Sequence, residues 1–175
     1  MSTANDTTVQ NVLLAVQDLI IAKSATICAG TSATLTADNV RVMDAEKFIQ
    51  AEPEIHCQIV KGTESYPGAR SGLDNLRSSV RVVLFRRQVS DDFGSLDKAM
   101  VGPAGSGLII LLDRLSYVLD QKWLSGYTPS LNLLLPLRLE SASVIDGAPQ
   151  DTGFGWFRGF RDFTYDIERT IEEFG

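Results

Sequence analysis

A long amphipathic helix pattern in the second half of the chain constrains the fold most strongly. Residues 107–123, GLIILLDRLSYVLDQKW, carry apolar side chains at the three- and four-residue spacing of one helical face, and most charged side chains fall on the other. The continuous apolar run spans only residues 108–112, whereas a membrane-spanning helix needs about 20 apolar residues. The pattern therefore predicts a core helix packed on a sheet. Its predicted apolar face contains Leu108, Leu111, Leu112, Leu115, Tyr117, Val118, Leu119 and Trp123.

Cap residues set the predicted ends of the helices. Ser106 is suited to be the N-cap of the long helix, and Gly126 and Pro129 would end it. A second amphipathic helix is predicted over residues 8–23, after a capping box that begins at Thr7. Both helices have one apolar face and need a sheet or another helix to cover it.

The segment after the first helix has a weaker pattern. Residues 24–38 are rich in Ser, Thr, Ala and Gly, which indicates a loop with one short strand at residues 33–36. A brief strand is predicted at residues 40–42, and a helical turn at residues 44–50.

Four further segments have the composition and alternation of β-strands. In the first of them, EIHCQIV, the apolar residues face the core and His56 falls on the polar face. In the third, leucines recur at alternate positions, and Pro136 has no N–H to donate, which favours an edge strand or a bulge. The four segments span residues 54–60, 80–88, 131–140 and 154–171.

The order of these elements predicts one domain of the α+β class over residues 1–175, with a flexible tail at residues 1–6. The sheet is expected to be mostly antiparallel, with four or more strands and two amphipathic helices packed on one face. Long loops are predicted at residues 61–79 and 141–153. A chain of 175 residues can bury about 70% of its unfolded surface.

The sheet face opposite the helices is also predicted to be apolar, because Val83, Phe85, Leu134, Trp156 and Phe160 would point there. Apolar residues on an uncovered sheet face are usually buried against another subunit. The pattern therefore predicts a homo-oligomer.

Composition narrows the classes of partner and compartment. The net charge of −6 argues against general affinity for nucleic acid backbones. Cys28 and Cys57 lack a CxxC spacing, and the amino terminus has no pattern of a secretory leader, so we expect synthesis in a reducing cytosol. Both thiols are expected to be small buried apolar groups.

The sequence offers little catalytic or metal-binding chemistry. His56 is the only histidine, and Glu54 is the single carboxylate on its predicted strand face. The glycine-rich residues 102–107 lack the Lys and Ser/Thr of a phosphate-binding loop. Residues 154–163, FGWFRGFRDF, have the pattern of a base-stacking surface, but the acidic neighbours favour a twisted strand. We therefore predict no catalytic residue, no cofactor and no metal.

The order of elements resembles the tail terminator and tail-completion proteins of long-tailed bacteriophages. The resemblance covers most of the chain and lies in its layout. It consists of an amino-terminal helix (VQNVLLAVQDLI), a proline-led strand (PEIHCQIV), a charged strand (VRVVLFRRQ), an acidic link (DDFGSLDKAMVGPAGSG), a helix (LIILLDRLSYVL) and a terminal aromatic strand (FRDFTYDIER).

This resemblance implies a structural protein of the virion, assembled in the host cytoplasm and placed at the head-proximal end of the tail. Such a protein forms a ring, usually of six copies, that sits on the tail tube and stops its polymerisation. It also presents a surface to the head–tail connector protein. DNA would pass through the ring without specific binding, and no membrane is involved.

A ring stacked on a tube requires two heterologous contacts, one lateral and one axial. The predicted loops 61–79 and 141–153 are candidates for these contacts, because long loops in compact domains are often functional. The candidate contact residues are Arg70, Arg77, Arg86, Arg87, Trp156 and Phe160.

Two other functions stay open. A head–tail connector or neck protein would bind portal-side partners instead of the tube. An oligomeric enzyme with a site between subunits is the second alternative. Its candidate catalytic residues would be only His56, Arg87, Asp91 and Asp92, which lack a recognisable spacing of nucleophile and base.

Overall fold

Five strands form one mixed sheet, and helices cover one of its faces. The computed structural model describes residues 8–47, 54–65, 73–87, 107–127, 131–142 and 156–170. The strand order is β1-β2-β3-β5-β4, with β1 and β2 parallel and the other neighbours antiparallel. The predicted α+β class is confirmed. The elements are α1 (Val9–Ala22), α2 (Ser24–Ile27), β1 (Val40–Met43), β2 (Ile55–Ser65), β3 (Leu73–Arg87), α3 (Leu108–Leu119), β4 (Leu133–Ala142) and β5 (Trp156–Thr170).

The main core lies between the helices and one face of the sheet. Helix α1 packs over β1 and β2, and α3 packs over β3, β5 and β4. Alternate residues of the central strands point into this layer, as the period of two requires. Fully buried members are Val12, Val16, Ile20, Cys57, Ile59, Val80, Val82, Leu84, Leu108, Leu111, Leu115 and Phe163.

The helix ends differ from the predicted ones. Thr8, one residue after the predicted cap, is the N-cap of α1, and its hydroxyl accepts a hydrogen bond from the Asn11 N–H at 3.2 Å. Helix α3 begins after Gly107 without a side-chain cap, so Ser106 is not its N-cap; it ends at Leu119, well before Gly126. The chain leaves the helix at Asp120, whose backbone is extended.

Two aromatic residues predicted on the apolar face of α3 are not there. Tyr117 is 81% exposed and Trp123 is 50% exposed. Tyr117 lies nine residues, or roughly two and a half turns, after Leu108 and therefore on the opposite side of the helix. Trp123 lies beyond the end of the helix, so the helical period does not apply to it.

The predicted loop at residues 24–38 contains the short helix α2, and residues 33–36 do not form a strand. Residues 44–47 are not helical, and residues 48–50 lie outside the described residues. Local composition failed here because Ser24 is held by tertiary contacts: its hydroxyl accepts a hydrogen bond from the Leu35 N–H at 2.7 Å.

The first of the two predicted long loops is shorter than expected, and the second is displaced by two residues along the chain. Strand β2 runs to Ser65 and β3 begins at Leu73, so most of residues 61–79 is strand. Strand β4 continues through Ala142. The remaining segments, residues 66–72 and 143–155, lie outside the described residues.

Strand β4 is an edge strand with repeated irregularities, as Pro136 indicated. Its register against β5 shifts between Leu133 and Leu135, between Leu135 and Arg138, and between Leu139 and Ser141. Each shift adds one residue to β4 and reverses the alternation of its side chains. Leu133 and Leu137 are buried on the helix-covered face, whereas Leu135 stands opposite Asp166 on the second face and is 36% exposed. Leu139 stands opposite Phe163 at the sheet edge and is 40% exposed. The leucines do not share one face.

A similar irregularity in β2 depends on Gly62. The register of β2 against β3 shifts between Lys61 and Glu64, and a Cβ on Gly62 would lie 2.0 Å from Ser79 Oγ. We expect Gly62→Ala to destabilise the fold by roughly 1–3 kcal/mol, because the bulge has no room for a methyl group. Urea unfolding measures this loss. Gly126→Ala is the matched control, since no atom lies within 4 Å of its added Cβ; equal stability of the two variants would contradict the prediction.

Candidate interaction surface

The second face of the sheet carries an aromatic cluster that is buried within one chain. Val83, Phe85 and Trp156 form its centre, and Phe160 packs against them. His56 is 2% exposed; its ring stacks on Phe85 with centroids 4.5 Å apart and meets Trp156 edge-on at 5.2 Å. The prediction that His56 lies on a polar strand face is wrong, because β2 is buried on both faces.

Charged and polar side chains cover this aromatic cluster. The Arg81 guanidinium lies 3.9 Å from the centroid of the Phe160 ring and donates two hydrogen bonds to Asp162, at 2.8 and 2.9 Å. The chain after β1 also crosses this face. Gln58 accepts a hydrogen bond from the Lys47 N–H at 2.9 Å and donates one to the Lys47 carbonyl.

The cover also includes an ion pair between Arg158 and Glu46, with the Arg158 guanidinium 5.4 Å from the Phe160 centroid. Val83, Phe85 and Trp156 are at most 3% exposed as a result. These three side chains are therefore shielded from solvent without a second subunit. Of the residues predicted on this face, Leu134 is the one that is exposed, at 37%.

The residues predicted as contact sites do not form one surface. Arg77 and Arg87 lie near opposite ends of β3, roughly 33 Å apart along the strand. Arg77 forms a bidentate ion pair with Asp166 at 2.8 and 2.9 Å. The exposed Arg87 lies with its guanidinium 5.9 Å from the Trp156 ring centroid. Arg70 lies outside the described residues, and Phe160 is half-buried.

Arg86 is buried on the helix-covered face, where it stands opposite Ile55 and Phe157. Among the described residues it forms an ion pair with Glu54, at 3.4 Å, and its Nε and Nη1 atoms have no hydrogen-bond partner there. Burial lowers the pKa of its guanidinium. A buried arginine of this kind presents little surface to a partner protein.

Exposed apolar side chains concentrate where α3 ends and β4 forms the edge of the sheet. The sequence patterns did not predict this group, because its exposure depends on the bulges in β4 and on the early end of α3. Of the six large apolar residues that are exposed in the described parts of the chain, five belong to this region. They are Tyr117, Trp123, Leu134, Leu135 and Leu139.

The turn after α3 covers part of the outer edge of β4 and holds Trp123. The Leu137 N–H donates to the Lys122 carbonyl at 2.9 Å, and the Gln121 N–H donates to the Leu137 carbonyl at 2.7 Å. Gln121 and Leu124 have φ angles of 60° and 59°. Left-handed backbone costs about 1–2 kcal/mol for a residue with a Cβ. The strain is offset by these hydrogen bonds and by the burial of Leu124.

A cavity of about 230 Å³ opens on the second face of the sheet beside β4. Two exposed leucines, Leu135 and Leu139, form its apolar part, and the Arg77–Asp166 ion pair contributes to its wall. Arg138 also lines the cavity and has no ion pair within the described ranges. The other lining residues are Glu140, Thr164 and Tyr165.

The described part of the chain holds no group of three or more His, Cys, Asp or Glu side chains that could bind a metal ion. Within the same residues, no helix is long and apolar enough to cross a membrane. Asp91 and Asp92 lie outside the described ranges. Both cysteines are buried, as expected, and burial raises the pKa of the Cys28 and Cys57 thiols.

Compared with models of known protein families and with curated proteins, the chain matches none of them. Its own geometry is therefore the basis for a functional proposal. The exposed apolar side chains and the cavity beside β4 are suited to contact another macromolecule, because a mixed apolar and charged surface is typical of protein interfaces.

Substitution of Arg86 tests whether this buried arginine stabilises the fold or is present for contact with a partner. We expect Arg86→Met to change the free energy of unfolding by less than about 1 kcal/mol, or to increase it, because a buried, incompletely paired cation is replaced by an apolar chain of similar length. Urea unfolding of the variant measures this change. The control is Leu84→Ala on the same strand, which should lose about 2–5 kcal/mol; a comparable loss in Arg86→Met would contradict the prediction.

The burial of Tyr165 predicts that the free energy of unfolding falls at alkaline pH. Its side chain is 1% exposed, and burial raises the pKa of its hydroxyl to about 12. An unfolded tyrosine titrates near pH ~10, so the folded state resists ionisation and stability falls as pH rises from about 10 to about 12. The loss is at most roughly 3 kcal/mol, at ~1.4 kcal/mol per unit. We expect Tyr165→Phe, measured by urea unfolding across this range, to lack the step; identical profiles of the variant and wild type would exclude this origin.

Proposed function

We propose that this chain is a structural subunit of a phage tail, of the tail terminator kind. Its copies form a ring that caps the tail tube, ends tube polymerisation and provides the surface for head attachment. Support comes from the element order, since α1, β2, β3, α3 and β5 occupy the segments in which the resemblance lies. The protein is accordingly a virion component without catalytic activity.

The observation that carries the proposal is the concentration of exposed apolar side chains on both sides of β4. Tyr117 belongs to α3, which lies over the main core, and the cavity beside Leu135 opens on the other face of the sheet. The chain therefore has two different surfaces next to one edge. These two surfaces support a ring, because a heterologous contact joins unlike surfaces of successive copies.

The proposed ring also implies which other molecules the chain contacts. We propose six copies, one face of which stacks on the tail tube protein while the other receives the head–tail connector protein. DNA passes through the centre without specific binding. The net charge of −6 suits this passage, because an acidic wall repels the phosphate backbone.

Solution mass is the direct test of the ring. We expect native mass spectrometry and light scattering to detect six times the chain mass, or a monomer that becomes a hexamer as concentration rises. Raising the salt concentration should weaken the assembly little, because the exposed contact residues are mainly apolar. A stable dimer as the largest species would overturn the proposal.

Partner binding separates the terminator from a connector. Purified ring should sediment with tubes of the tail tube protein and should stop their growth when it is added during polymerisation. The matched experiment replaces the tube with portal-side proteins of the head. Binding to these proteins without binding to tubes would favour the connector function.

A further inference from the structure

Trp123 and the cavity beside β4 are chemically complementary, and neither has a partner among the described residues of one chain. Trp123 is half exposed, although a large aromatic side chain gains much free energy from burial. Arg138 lines the cavity and forms no ion pair in the described part of the chain. A guanidinium beside an indole ring forms a favourable cation–π contact.

The turn that carries Trp123 is strained and fixed. Trp123 lies between residues 121 and 124, which both have left-handed backbone, and two hydrogen bonds to Leu137 hold the turn against β4. Backbone strain of this kind persists where the surrounding structure enforces it, and it is common at contact sites. Because the backbone is already fixed, ordering Trp123 in a contact costs little conformational entropy.

The cavity is large enough for an indole, and its lining is mainly polar with a smaller apolar part. Its volume of about 230 Å³ equals that of several water molecules at ~30 Å³ each, enough for a bicyclic ring. Leu135 offers apolar contact, and the Asp166 and Glu140 carboxylates offer acceptors for the indole N–H.

We propose that Trp123 of one copy inserts into the cavity lined by Leu135, Leu139 and Arg138 of the next copy. The inserted indole packs on Leu135 and lies beside the Arg138 guanidinium. This inference rests on the proposed ring and assigns its lateral contact. The contact is heterologous, because the turn follows α3 on one side of the sheet whereas the cavity opens on the other side.

Complementation between two variants tests this contact. Trp123→Ala removes the inserted side chain but keeps the cavity, and Leu135→Arg blocks the cavity but keeps Trp123. We expect each variant alone to be monomeric at concentrations where wild type assembles, with a lateral dissociation constant raised at least about 30-fold. An equimolar mixture should form a one-to-one dimer and no ring, because only one intact pair of surfaces is available.

The controls separate the contact from folding. Ile109→Ala removes an exposed apolar residue of α3 that lies outside the β4 region and should leave assembly unchanged. Arg138→Ala removes one of the side chains that line the cavity, so a partial loss of affinity is expected even if Leu135→Arg does not fold. Circular dichroism and thermal unfolding verify that each variant used is native.

Tryptophan accessibility gives a measurement that needs no substitution. The chain has two tryptophans, of which Trp156 is buried and Trp123 exposed. Acrylamide should quench the Trp123 emission in dilute monomer and lose access to it on assembly.

The outcomes distinguish this inference from the ring itself. Hexamers that persist in Trp123→Ala, together with a Trp123 that acrylamide still quenches in the wild-type hexamer, would overturn the contact and leave the ring standing. Assembly of wild type into open chains or dimers through Trp123 would support the contact and overturn the ring. Wild type that stays monomeric at all concentrations would overturn both.

Discussion

Strand β3 lies in the middle of the sheet and must be covered on both faces. It spans 15 residues and pairs with β5 over its whole length, from Leu73 opposite Thr170 to Arg87 opposite Trp156. Such a ladder is roughly 50 Å long at ~3.3 Å per residue. Val80, Val82 and Leu84 face the helices. The alternate residues would be left in water unless a second layer covers them.

Arginines and the segment after β1 cover the second face of the sheet, in place of a second layer of helices. Arg81 covers Phe160 and is neutralised by Asp162, its direct neighbour across the strands. The long alkyl part of an arginine excludes water from the ring while its guanidinium reaches an acceptor. This cover explains how Phe85 can be buried in a single chain, and why the aromatic face does not by itself require an oligomer.

The sequence patterns were sufficient where one period holds over many residues. The burial of α3 and the two-faced alternation of β3 both follow from spacing alone, because tertiary contacts do not interrupt either element. They failed where a local interaction ends or shifts the period. Helix α3 ends at Leu119, and the alternation in β4 is reversed at each bulge. No composition rule predicts which residue of a leucine-rich strand will be the extra residue of a bulge.

The candidate surface depends on these same interruptions, which is why sequence periods could not locate it. A regular β4 would bury its leucines together on one face and would leave an edge of free N–H and C=O groups that invites uncontrolled pairing. The first bulge turns Leu135 to the second face instead, and the strained turn at Gln121 covers part of the edge. Uncontrolled strand pairing is thereby restricted while apolar side chains remain exposed. An edge of this kind favours a defined side-chain contact over the addition of another strand.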